Sequence, residues 1–168
     1  MIEWPDLRGI LEPVPWAIVG GVATRAYMPE RMTQDLDILV AQEDGSEARR
    51  RLENAGFELV SPLSIPGIVL RSPAGVEIDL LFGEGPWVGP ALAEPGRDAA
   101  GYPVIGLPFL VLMKLQATRD QDWTDITRML GGATEAQVDG VRAIVERFSP
   151  ADVEDLETMI YLGKQERS

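Results

Sequence analysis

Apolar and polar positions alternate differently in the two halves of the chain. In the first half the apolar runs are short and bounded by turn residues. Residues 10 to 15 read as the end of a short helix and a turn, and WAIVGG (16–21) as a buried strand running into a Gly-Gly turn. VATRAYM (22–28) fits a short helix that Pro29 ends. DLDILV (35–40) reads as a strand with Asp35, Asp37 and Leu39 on one face and Leu36, Ile38 and Val40 on the other. QEDGSEARRRLENAGF then predicts a loop and a helix, with Ser46 as N-cap and Gly56 as the stop. FELV (57–60) and GIVLR (67–71) are strand candidates. VEIDLLF (76–82) can pair with the second of these as a hairpin across the turn SPAG, with Glu77, Asp79 and Leu81 on one face.

After a Gly-, Pro- and Ala-rich stretch (83–101) and a short strand YPVIG (102–106), the period changes to that of helices. LPFLVLMKLQATRD (107–120) predicts a buried helix with proline near its start. Three more helices are expected over 122–130, 134–148 and 150–165, with Thr134 and Ser149 as caps. Strands first and helices last make an α/β or α+β fold with a short helical C-terminal part. The boundaries expected are one domain over 1–168, with its core at about 16–130 and C-terminal helices at about 131–168.

Composition narrows the chemistry. The 168 residues include neither cysteine nor histidine, so thiolate and imidazole ligands are excluded. Any metal site must use oxygen donors, which suits Mg²⁺ or Mn²⁺. The net charge of -12 argues against a broad basic surface for nucleic acid. A patch built from Arg25, Arg31, Arg49, Arg50 and Arg51 would be the exception. No apolar run is long enough to span a membrane and the N-terminus lacks a signal-peptide pattern, so a cytoplasmic location is expected.

Acids two apart recur along the chain. On a helix, as at Asp152/Glu154 and Asp155/Glu157, this spacing does not bring side chains together. On a strand it does, with Cα atoms about 6.5 to 7 Å apart. Asp35 and Asp37 lead into an apolar strand, and Asp79 sits between Ile78 and Leu80 on another. Two like charges held at a buried edge are costly without a counter-cation. Three carboxylates on adjacent strands would make a magnesium site suited to phosphoryl transfer. Gly20 and Gly21 let backbone approach a phosphate, and the helix after them can aim its N–H groups at the anion. Lys114, on an apolar helix, needs an anion if it is buried. Asp120 and Asp125 read as solvated, and Arg119 and Asp122 as a local pair.

These segments, in this order, resemble the nucleotidyltransferase superfamily of DNA polymerase β-like fold. The resemblance is carried by Gly20 and Gly21 after a strand, Asp35 and Asp37 in a D-x-D strand, and Asp79 on a later strand. It is nearest to the small bacterial branch that includes AbiEii-type toxins. There a GG-x-A segment is met by Gly20, Gly21 and Ala23, and an R-x-T-x-D-[LI]-D segment by Arg31, Thr33, Asp35, Leu36 and Asp37. A K-L-x-A-x-R-x-x-D segment is met by Lys114, Leu115, Ala117, Arg119 and Asp122. Tyr27 and Met28 stand where relatives often carry His-Gly.

The resemblance implies a mixed β-sheet flanked by helices. It also implies a metal-dependent transfer of a nucleoside monophosphate from an NTP to a hydroxyl acceptor, with release of pyrophosphate. Asp35, Asp37 and Asp79 would be catalytic and metal-binding. Gly20, Gly21, Arg31, Thr33 and Lys114 would bind nucleotide. The acceptor would be a tRNA 3′ end, in a toxin–antitoxin setting with an antitoxin partner, or a small molecule such as an antibiotic, or a protein side chain. The alternatives are a non-catalytic nucleotide- or partner-binding member of the fold, or a phosphohydrolase. A homodimer is compatible with the sequence.

Overall fold

The computed structural model describes residues 4–27, 35–117 and 120–168, with 120 and 121 described by their backbone alone. The chain divides into two compact units, Met1–Val22 with Met32–Ile105 and Ala23–Arg31 with Gly106–Ser168.

The first unit is built on a seven-stranded sheet in the order β3-β4-β5-β2-β1-β7-β6. The strands are β1 (Trp16–Val19), β2 (Leu36–Ala41), β3 (Glu58–Pro62), β4 (Gly67–Arg71), β5 (Glu77–Gly83), β6 (Gly96–Arg97) and β7 (Pro103–Val104). β5 runs parallel to β2 and β7 parallel to β1; the remaining pairs are antiparallel, so the sheet is mixed. The helices of this unit are α1 (Arg8–Leu11), the start of α2 (Gly20–Tyr27), α3 (Gly45–Asn54) and α4 (Val88–Ala93). The alternation expected for β2 and β5 sets the burial. Leu36, Ile38, Val40, Ile78 and Leu80 are buried, and so are Ala48 and Leu52 of α3, which packs on β2. Near the ends of β2 and β5, Leu39 and Val88 crowd the space beside Gly83. The N-terminal halves of those two strands keep half-buried acidic positions.

The second unit is helical: α5 (Leu107–Ala117), α6 (Asp120–Gly132), α7 (Glu135–Phe148) and α8 (Val153–Glu166). α5 packs on α6 and α7, and α6 packs closely on α8. The second contact depends on missing side chains. A Cβ at Gly163 would lie 2.2 Å from the Thr127 carbonyl oxygen, and one at Gly131 2.5 Å from that of Gly163. Thr134 caps α7 in a capping box, accepting from the Gln137 N–H while the Gln137 side chain accepts from the Thr134 N–H.

Several local expectations are corrected. Gly20 and Gly21 do not form a separate turn; they are the first residues of α2, which starts directly at the end of β1. Ser46 lies inside α3 rather than at its cap, because a 3₁₀ turn over Gln42–Asp44 runs into the helix. Gly56 does follow the end of that helix, in the left-handed region at φ 94°. Ser149 does not cap α8. A 3₁₀ turn (Pro150–Asp152) intervenes, and the Ser149 hydroxyl donates to Asp152.

Candidate active site

β1, β2 and β5 are adjacent, and their register fixes the site. Asp37 lies opposite Val19 on β1 and opposite Asp79 on β5, so both carboxylates stand on one face of neighbouring parallel strands. Each residue is half-buried. Asp35 lies exposed just before β2.

The electrostatics record this crowding. Burial pushes the Asp79 carboxyl above its ordinary value. The negative charge of Asp35 adds to the rise, and Glu77 adds a smaller increment; a side-chain hydrogen bond with Asp37 pulls the other way. Asp37 and Asp35 are therefore both near enough to Asp79 to be felt.

Gly20 completes the arrangement. It sits in the left-handed region at φ 65°, and a Cβ added there would lie 1.9 Å from Asp37 Oδ2. The Asp37 carboxylate rests against the bare Cα of the residue that opens α2. Only glycine serves both needs, the backbone angle and the empty space. Acid and helix N-terminus are thus placed side by side, an arrangement that can bring a cation and a phosphate together.

Among the described residues no three acidic side chains form a ready-made cage for a metal ion. The donors that do meet, two paired carboxylates with a third charge nearby, are all oxygen. They fit a hard cation such as Mg²⁺, which commonly takes one or two protein carboxylates and fills its octahedron with water and phosphate.

Lys114 belongs to the helical unit. It is buried, and its ammonium donates to Asp122 Oδ1 at 3.2 Å and Asp125 Oδ2 at 3.3 Å, both also buried. The expectation that a buried lysine needs an anion holds, but the anions at hand are protein carboxylates one helix away. Asp125 is corrected from solvated to buried. The missed signal was the i, i+3 spacing of Asp122 and Asp125, which puts both on one face of α6. Arg31, Thr33 and Arg119 lie outside the described residues.

The basic patch suggested by Arg49, Arg50 and Arg51 is also corrected. Arg49 pairs with Glu53, while Arg50 and Arg51 both bond Glu47 at 2.6 and 2.8 Å, so helical i, i+3 and i, i+4 neighbours offset most of the charge of the run.

No protein-family model and no curated protein matches the chain. Among solved structures it is similar to a candidate nucleotidyltransferase from Thermotoga maritima, with 17% identity and a TM-score of 0.50 over 76% of this chain and 91% of that one. It is also similar to a candidate nucleotidyltransferase from H. pylori (16% identity, TM-score 0.48, 94% and 79% covered). A third is the antibiotic-resistance factor ANT(2″)-Ia (14% identity, TM-score 0.45, 92% and 84% covered). The first likeness bears on the fold: the seven-stranded mixed sheet flanked by helices is of the nucleotidyltransferase type.

Proposed function

We propose that the protein is a metal-dependent nucleotidyltransferase that moves a nucleoside monophosphate from an NTP to the hydroxyl of a small molecule. The observation that carries this reading is the in-register pairing of Asp37 with Asp79, with Gly20 left bare beneath the Asp37 carboxylate. Asp37 and Asp79, with Asp35 beside them, would hold Mg²⁺ or Mn²⁺. When bound, such an ion neutralises phosphate charge and lowers the pKa of an attacking hydroxyl. The N–H groups of Gly20 and Gly21, at the positive end of α2, meet the triphosphate. Asp79, whose basicity is raised by burial and by Asp35, takes the proton of the acceptor hydroxyl. The acceptor oxygen bonds to the α-phosphorus as the bond from that phosphorus to the bridging oxygen breaks, and pyrophosphate leaves.

A small acceptor is favoured over the tRNA 3′ end by charge. The chain is at -12, and Arg49, Arg50 and Arg51 are already paired with glutamates.

The test is thermal stability with each of the four NTPs, with and without Mg²⁺, on the wild type and Asp37→Asn, followed by an assay for pyrophosphate. One NTP should raise the melting temperature only with metal and only in the wild type. Metal-dependent stabilisation without pyrophosphate release on any acceptor would favour a nucleotide-binding module; free phosphate would favour a hydrolase. No shift with any NTP sinks the nucleotide site itself.

A further inference from the structure

We infer that the acceptor of the proposed reaction lies over β4, with Val69 as its floor and the Arg71–Glu77 pair selecting a neutral, polyhydroxylated molecule. The inference rests on the nucleotidyltransferase reading and adds the side from which the acceptor comes and the groups that choose it. The side follows from strand order and from the geometry of phosphoryl transfer, in which attacking and leaving oxygens lie roughly in line through the phosphorus. β1, β2, β5 and β4 are successive neighbours in the sheet, and α2 starts directly at the end of β1. In the proposed reaction the triphosphate meets the start of α2. Pyrophosphate then leaves on the β1 side of the acids, and the acceptor enters on the opposite side, over β4. Ile68 and Leu70 of β4 are buried, as are Ile78 and Leu80 of β5, so Val69 and Arg71 stand on the face that carries Asp79. Val69 lies directly opposite Asp79, and Arg71 opposite Glu77. α4 packs at the far end of this face, where Val88 crowds Gly83, and Val69 is left half-buried.

The class of acceptor follows from the pair. Arg71 Nη2 donates to Glu77 Oε2 at 3.1 Å, and the two side chains are 47% and 49% exposed. A pair so exposed adds little to stability. It does present a guanidinium edge and a carboxylate side by side, one strand step of about 6.5 to 7 Å from Val69 and Asp79. A hydroxyl group both donates and accepts, so it satisfies the two together. An ammonium group meets the Arg71 charge with Glu77 already compensated. An anion meets Glu77, Glu58 opposite Arg71 on β3, and the acids of the site. The spacing suits one ring carrying several hydroxyls. The hydroxyl that attacks lies at Asp79, a second lies across the ring at Arg71 and Glu77, and the C–H face between them rests on Val69.

The experiment measures pyrophosphate release with Mg²⁺ and the NTP that stabilises the wild type. The probe acceptors are methyl glucoside, glucosamine, glucose 6-phosphate and cyclohexanol, each at high millimolar concentration, on the wild type, Arg71→Ala and Val69→Phe. Circular dichroism checks that both variants are folded. Release should depend on methyl glucoside and exceed that on each other probe at least tenfold. Arg71→Ala, which removes the paired guanidinium, and Val69→Phe, which fills the space before Asp79, should each raise KM for methyl glucoside at least tenfold. The kcat of Arg71→Ala should change less than threefold, and both variants should keep the NTP-dependent thermal shift. Equal or faster release on any other probe overturns the polyhydroxylated class. No acceptor-dependent release, or an unchanged KM in both variants, overturns the site over β4. The thermal shift separates the two levels of failure. If the wild type shows none, the nucleotidyltransferase reading falls and this inference with it; if the shift is intact, the failure belongs to the acceptor site alone.

Discussion

Asp79 is worse off in the folded chain than in the unfolded one. Burial and the charges of Asp35 and Glu77 raise its pKa, and only its hydrogen bond with Asp37 offsets them. A raised acid binds its proton more tightly when folded, so stability falls as pH climbs from the ordinary value of 3.8 through the raised one. Asp79→Asn carries no such penalty. The metal-free variant should therefore melt higher than the wild type at pH 7, with the gap closing as pH is lowered below the carboxylate range. The same variant should lose metal-dependent stabilisation by NTP. Stability gained where function is lost marks a site kept under strain; equal melting curves at all pH values would place Asp79 in an ordinary solvated setting. Gly20 supplies a second test at this scale. Gly20→Ala must adopt a left-handed angle, at about 1–2 kcal/mol, and its methyl displaces Asp37 Oδ2. Pyrophosphate release should fall more than tenfold in Gly20→Ala, and less in Gly21→Ala, at a temperature where both are folded.

At the scale of elements, the informative pair is α5 and α6. Lys114 is unusual on a helix that is otherwise apolar nearly all round, and its partners Asp122 and Asp125 come from the next helix. Removing one member of a buried charged cluster leaves the others uncompensated, at about 3–5 kcal/mol. Lys114→Met should lower the free energy of unfolding measured by urea titration by that order, and the midpoint with it, even without nucleotide. A variant that keeps the wild-type midpoint but loses NTP-dependent stabilisation would instead return Lys114 to the nucleotide site. The same helices show what sequence can and cannot convey. β2 and β5 were readable because alternation is local: Leu36, Ile38 and Val40 against Asp37, and Ile78 and Leu80 against Asp79. The register of Asp37 against Asp79 was not, because a parallel pairing over some forty residues leaves no local trace. Gly56 was legible as a helix stop, since its backbone angle is a one-residue matter. Ser46 misled, because a good capping residue is no use once a 3₁₀ turn has already started the helix. Asp125 misled for the opposite reason: an acid on a helix looks solvated until its partner arrives from another one.

At the scale of the whole molecule, the preference for a small acceptor in the proposed reaction rests on charge. Association with RNA draws on released counterions, and a protein needs several unpaired cations on one surface to obtain that contribution. Here 27 acids face 15 bases, and the densest basic run, Arg49 to Arg51, is spent on Glu47 and Glu53 along α3. The long-range field of such a chain repels a polyanion, while a neutral or cationic small molecule meets no barrier. An NTP is also an anion, but in the proposed reaction it would bring its own cation and would need only the local contacts at Gly20, Asp37 and Asp79. Fluorescence anisotropy of labelled tRNA should therefore show no binding tighter than about 100 μM at physiological salt, the weak end of nonspecific affinity. Titration of an NTP with Mg²⁺ under the same conditions should saturate. Lowering the salt should not rescue tRNA binding, because counterion release multiplies contacts that exist and cannot create them. A tight tRNA complex with a steep salt dependence would overturn the small-acceptor reading. It would leave the carboxylate site untouched and move the search to a basic surface involving Arg31, outside the described residues.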